Sequence, residues 1–138
     1  MRLRNFIKMT EEEFRYGTNK EQDPTGKQPN EPGAKLDAGK IAVWRGAFNY
    51  FPCAIEQVAA VSTFGARKYA WKGWETVPDG INRYSDAMAR HLIEEGQGHV
   101  DDKDSGLLIA AHTAWNALAR LELMLRKDKN VENNPEMV

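Results

Sequence analysis

The stretch from Arg90 to Asn116, RHLIEEGQGHVDDKDSGLLIAAHTAWN, constrains this chain more than any other. It sets His91, Glu94 and Glu95 at the end of one helical pattern. An acidic loop with Asp101, Asp102 and Asp104 follows, and His112 and Asn116 stand on the next pattern. Residues three or four apart on a helix share a face, so His91 lies over Glu95 and His112 over Asn116. Folded back on one another, the two faces make a junction of oxygen and imidazole donors suited to a hard divalent cation and to hydrolysis.

Three helices are legible. The first starts at Pro52, a residue well suited to the opening turn, and continues through CAIEQVAAVSTFGARKYA with Ile55, Val58, Ser62 and Gly65 along one stripe. Glu56, its only carboxylate, sits one position off that stripe. The turn-rich AWKGWETVPDG ends the helix, and Trp71 and Trp74 are flat surfaces that can stack on a base or close the end of a bundle. The second helix runs from Asp79 or Gly80 to Gly96, with Ile81, Tyr84, Met88, His91 and Glu95 on one face. A buried charge without a partner costs several kcal/mol, about 3–5, so a His and a Glu on a core-facing stripe need each other or a ligand. The third helix is expected to open at Asp104 or Ser105 and to pack through Leu107, Ala111, Ala114, Leu118, Leu121 and Leu125. His112 and Asn116 lie on its second stripe.

These elements predict an all-α fold, a small bundle of about three main helices. So few helices bury little surface, so the core is expected to be completed by homo-oligomerisation. The polar GTNKEQDPTGKQPNEPG carries no hydrophobic periodicity, and residues 1–32 read as an extended or disordered arm, with one short helix over Met1–Tyr16. Residues 33–128 form the helical domain and 129–138 a polar tail. A net charge of -1 and a pI near 6.3 give no electrostatic case for nucleic acid or a lipid surface. A single cysteine, Cys53, excludes an internal disulfide framework, and no apolar run is long enough to span a bilayer. A cytoplasmic protein is the expectation.

Three chemistries suit the junction. A Mg²⁺ or Mn²⁺ site for phosphoanhydride hydrolysis uses the carboxylates as hard ligands and Lys or Arg for the phosphates. A di-iron bundle requires Glu-x-x-His elements, and none occurs on these helices. In the third, the histidines hydrogen-bond within the core and the acidic loop is solvated.

Read together, GAKLDAGK (33–40), FPCAIEQVAAVSTFGARKYAWKGW (51–74), RYSDAMARHL (83–92) and DKDSGLLIAAHTAWNAL (102–118) resemble the phage and prophage dATP/dGTP diphosphohydrolase family, similar in turn to the MazG-type all-α pyrophosphohydrolases. The resemblance implies hydrolysis of purine deoxynucleoside triphosphates to monophosphate and pyrophosphate, with Mg²⁺ or Mn²⁺, shaping a phage nucleotide pool in the host cytoplasm. It implies catalytic roles for Glu56, Glu95 and His91, and metal ligands among Glu56, Glu94, Glu95, Asp101, Asp104 and His112. Lys35, Lys40 and Lys68 would meet phosphates, with Trp74 and Asn116 also at the substrate. The chain departs from the pattern at Ile109, where a second histidine is expected, and at Ala59, where MazG proteins carry an acid. An alternative is a nucleotide-binding protein that sequesters its ligand uncleaved. A helical scaffold without ligand is the third class.

Overall fold

The computed structural model describes residues 21–133, so the helix expected over Met1–Tyr16 lies outside the described residues. The chain divides into two compact units, the first ending at Tyr50 and the second beginning at Phe51.

In the first unit, the described part of the polar arm is a series of turns gathered on one carboxylate. Asp23 accepts hydrogen bonds from the Thr25 amide at 2.7 Å and, across twelve residues, from the Lys35 amide at 2.7 Å. Led by the Lys35 bond, these donors bring its pKa down to about 2. Further along, Trp44–Phe48 forms a single π-helical turn whose two end rings stack with centroids 6.2 Å apart.

The second unit is built from three helices: α1 (Pro52–Lys68), α2 (Gly80–Gly96) and α3 (Ile109–Asn133). Pro52 opens α1, where a missing N–H breaks no helical hydrogen bond. Beyond α1 the backbone turns sharply at Lys72, whose φ of 58° is left-handed, into a 3₁₀ turn over Gly73–Thr76. Gly98, with φ 92°, terminates α2. Its amide bonds the Glu95 carbonyl while the His99 amide bonds that of Glu94, the paired closure of a Schellman motif.

Pairs of contacting residues fix the packing. From α2 to α3 these are His91 with His112, Tyr84 with Trp115 and Gly80 with Leu123, so the two helices run antiparallel. A Cβ on the buried Gly80 would lie 2.8 Å from Leu123 Cδ1, so glycine lets the helices approach there. Between α1 and α3, Ser62 meets Trp115 and Phe64 meets His112, again antiparallel.

Two expectations are corrected. Helix α3 begins at Ile109 rather than at Asp104 or Ser105, because residues 101–108 close into a turn of their own. Asp101 and Leu108 form an antiparallel bridge, the Asp102 amide bonds the Leu107 carbonyl at 2.8 Å, and the Ile109 amide bonds the Val100 carbonyl at 2.8 Å. Of the expected stripe within α3 Ala111 alone is buried, and otherwise it is the second stripe that faces inward. Ile109, His112, Asn116 and Ala119 face the neighbouring helices, while Leu118, Leu121 and Leu125 are 54%, 46% and 41% exposed. Among the described residues, helices pack against one side of α3.

Ile109 is the most deeply buried of the described side chains at 1% exposure. Ile109→Ala should therefore lower unfolding free energy by about 2–5 kcal/mol, combining lost transfer energy with a cavity. Urea denaturation with an unchanged m-value checks it; a loss below about 1 kcal/mol contradicts this account of the core.

Candidate active site

The site is assembled from the turn between α2 and α3, and the turn is assembled on one oxygen. Asp102 Oδ2 accepts hydrogen bonds from the Ser105 amide at 2.8 Å, the Ser105 hydroxyl at 2.9 Å and the Asp104 amide at 3.1 Å. The Gly106 amide bonds the Asp102 carbonyl at 2.8 Å, with Gly106 at φ 70°. The sequence Asp-Lys-Asp-Ser-Gly thus encodes a side chain that folds its own loop. Burial acts on the Asp102 carboxyl to raise its pKa, but the bonds from Ser105, the nearby His112 and the Asp104 amide outweigh it. The pKa lies below the usual carboxylate value.

Ser105 links this turn to α3. Its single proton goes to Asp102, so the 2.7 Å contact between Ser105 Oγ and His112 Nε2 requires His112 to donate. Neutral His112 therefore carries its proton on Nε2. Burial pushes its pKa below the ordinary value, and the attraction of Asp102, with Oδ2 at 3.7 Å, pulls the other way without winning. Asn116, one turn on and also buried, donates to the His112 carbonyl at 2.8 Å.

His91 reaches the same point from α2. Its ring lies 5.1 Å from that of His112, tilted by 32°. His91 Nδ1 is 3.7 Å from Glu94 Oε2 and is buried without a hydrogen-bond partner among the described residues. A buried, unpaired ring nitrogen costs free energy, so it marks a place where a ligand would gain. One donor atom each of His91, Glu94 and Asp102 lies within 4.8 Å of the other two. With Oδ2 occupied by the turn, Asp102 has Oδ1 to offer. Two carboxylates and an imidazole around an orphaned nitrogen fit a divalent cation.

This cluster stands at the edge of a cleft of about 940 Å³ whose lining includes the charged or titratable groups His91, Asp102, Asp104, Lys68, Arg83 and Arg90 together with aliphatic and aromatic side chains. That volume suits a molecule of nucleotide size. Lys68, at the end of α1, is ion-paired with Asp104 and lies over the rings of Phe64 and Tyr69 at 5.8 and 5.7 Å. Trp74 is packed on several sides. Its ring meets Tyr84 at 6.3 Å and Trp115 at 6.0 Å edge-on, and the Arg126 guanidinium lies over it at 5.6 Å, held by Glu75 and Glu122.

Of the residues singled out from sequence, His91, Glu94, Asp104, His112, Lys68, Trp74 and Asn116 come together around the cleft and its cluster. Glu56 and Glu95 are exposed and belong to neither, and Asp101 is exposed in its bridge to Leu108. Lys35 and Lys40 lie in the first unit, both exposed. Ile109, at the position of the expected second histidine, is core. The sequence places Asp102 among the loop acids without marking it as a ligand, and offers Ser105 only as a helix cap. The Asp-x-x-Ser spacing before a glycine was the available signal for both.

A helix-hairpin protein with a cation-competent cluster beside an aromatic cleft is the class that fold and site define. Residues 30–133 match the family model described as dATP/dGTP diphosphohydrolase, N-terminal, and the chain belongs to that family. A dATP/dGTP diphosphohydrolase of Salmonella phage PMBT28 is 34% identical over 82 residues, covering 59% of this chain and 26% of the relative. The chain thus aligns with about a quarter of that protein's length. No solved structure matches.

Because burial depresses the His112 pKa, an unfolding chain takes up a proton there that the folded chain refuses. Stability is full above the ordinary imidazole value of 6.5 and is lost as pH falls from there toward the folded value. In metal-free protein the His112 ring signals should titrate with a midpoint below 6.5 by NMR. His112→Asn should flatten the stability profile across that window; a midpoint above 6.5 reverses the sign.

Proposed function

We propose that this chain hydrolyses purine deoxynucleoside triphosphates to the monophosphate and pyrophosphate. Water attacks the α-phosphorus and the α–β anhydride bond breaks. The observation that carries the reading is the orphaned His91 Nδ1 meeting Glu94 and Asp102 beside a cleft of nucleotide size, in a chain of this family. The relative's name supports the substrate class.

His91, Glu94 and Asp102 would hold the divalent cation, Mg²⁺ or Mn²⁺, which when bound supplies charge neutralisation and polarisation at the phosphate oxygens. Ser105, itself bonded to His112, holds Asp102 in place through Oδ2, and Asp102 would offer the cation a carboxylate fixed by the turn. Lys68 meets the negative charge that builds on the departing pyrophosphate. A carboxylate of the cluster accepts the proton of the attacking water, with Glu94 the half-buried choice on α2. No helix among the described residues is long and apolar enough to cross a membrane, and a cytoplasmic setting belongs to this reading because the substrate is found there.

The test is incubation with each deoxynucleoside triphosphate and Mg²⁺, Mn²⁺ or EDTA, with products separated by chromatography. Metal-dependent monophosphate and pyrophosphate from dATP and dGTP support the reading. Recovery of bound, uncleaved nucleotide would favour the sequestering alternative. Glu94→Gln and Asp102→Asn should each lower kcat by about 10²–10⁴. The same substitution at Glu56 and Glu95 separates acids inside the cluster from those outside it, and a comparable fall in either brings that exposed acid into the mechanism.

The exposed row Leu118, Leu121 and Leu125 supports a homo-oligomer as part of the same reading, because a second copy's α3 laid along it would complete a four-helix core. Light scattering should give a dimer or tetramer, and Leu121→Glu should shift it toward monomer. A monomeric wild-type chain removes this element.

A further inference from the structure

The cleft holds aromatic rings of two kinds, and the difference assigns them different work. Trp74, Tyr84 and Trp115 are fastened to one another. Their centroids are 5.6–6.3 Å apart with rings near perpendicular, the Tyr84 hydroxyl donates to the Trp74 carbonyl at 3.1 Å, and Trp115 Nε1 donates to Ser62 at 2.9 Å. With Arg126 over its ring, Trp74 has little face left for a ligand. Trp71 also lines the cleft, yet it is 70% exposed. Its ring meets no other ring and its indole N–H makes no hydrogen bond among the described residues.

The geometry points to Trp71 as the platform on which the base of the bound nucleotide stacks, a role the packed Trp74 is poorly placed to take. This rests on the nucleotide reading of the cleft. Three observations converge. An indole left in water is unfavourable, and a stacked base removes that exposure while using the π-face any base presents. In sequence Trp71 falls between two lysines, Lys68 at the end of α1 and Lys72 next to it, so an aromatic surface and cationic groups come from one short segment, Lys68–Lys72. Lys72 is left-handed although it is not glycine. That conformation is disfavoured, and here it reverses the chain directly after the tryptophan, so Trp71 is held at the tip of a sharp turn instead of continuing into the packed core. Tyr69 shares the exposure at 79%, but its ring already carries Lys68.

A purine presents two fused rings to the indole and a pyrimidine one, so Trp71 favours purines through overlap area, without a hydrogen bond that tells adenine from guanine. That accounts for a site able to take both. Polar reading of the base edge would then fall to other lining groups, of which Asn116 is buried and has its Oδ1 uncommitted among the described residues.

The test uses the full chain with Trp71→Ala and Trp71→Phe, following pyrophosphate release from dATP, dGTP, dCTP and dTTP, with inorganic tripolyphosphate as an inhibitor that has no base. Trp71→Ala should raise KM for the purine substrates about tenfold to a hundredfold with kcat changed less than about threefold. The effect should be smaller for pyrimidines, and inhibition by tripolyphosphate should not change. Trp71→Phe should restore most of the loss, which also shows that the turn folds without indole. An unchanged purine KM in Trp71→Ala, or an equal loss of tripolyphosphate inhibition, overturns the platform while leaving the hydrolase standing. If the wild-type chain cleaves none of the four, the hydrolase reading fails separately, and equilibrium dialysis with dGTP decides. Weaker binding by Trp71→Ala keeps the platform, and equal or absent binding in both overturns it.

Discussion

The arrangement depends on the two oxygens of Asp102 being used differently. Oδ2 is spent on three donors that close the turn between α2 and α3, while Oδ1 takes no hydrogen bond among the described residues. The turn fixes where α3 begins, hence which side of α3 faces α2, hence that His112 arrives beside His91. An unanchored acidic loop between two helices would leave that register to side-chain packing alone. Here the buried apolar set among the described residues is small, Val61, Ile109, Ala111 and Ala119, and could not specify it unaided. Polar bonds carry the precision that a larger protein draws from its interior.

Much of the helical framework was legible because it is written in local chemistry. Pro52 opens α1, Gly98 closes α2, and the period of Tyr84, Met88 and His91 gives the inner face of α2. The start of α3 was not legible in the same way. An Asp or Ser before an apolar run reads as a helix cap, and the same residues serve equally inside a turn that closes just before the helix. Nor could periodicity rank the two stripes of α3. Its leucines make the better hydrophobic pattern, yet the buried stripe includes His112 and Asn116, because both find hydrogen bonds within reach and their neighbours are small enough for close packing.

The site shows the same division. That His91 would need a partner followed from its place on an apolar face. Which adjacent acid would provide it did not, since Glu94 and Glu95 stand about 100° apart around the helix and both lie within a turn of His91. The structure turns Glu94 inward and leaves Glu95 exposed. Among the loop acids the alternation is sharper still. Asp101 is in a backbone bridge, Asp102 is in the site, and Asp104 is paired with Lys68, three fates set by the turn rather than by any property of the residues themselves.

The Lys68–Asp104 pair changes what arrival of an anion means. Lys68 lines the cleft already partnered, so under the proposed reading an incoming phosphate would trade places with a carboxylate seated there. Capture would then be an exchange of one anion for another, its strength set by the difference between them. A weakly charged visitor would gain little by displacing Asp104, and a polyphosphate, with several oxygens to offer, would gain more. On that reading the pair weighs visitors by charge, and the carboxylate released would lie within the same turn that holds Asp102.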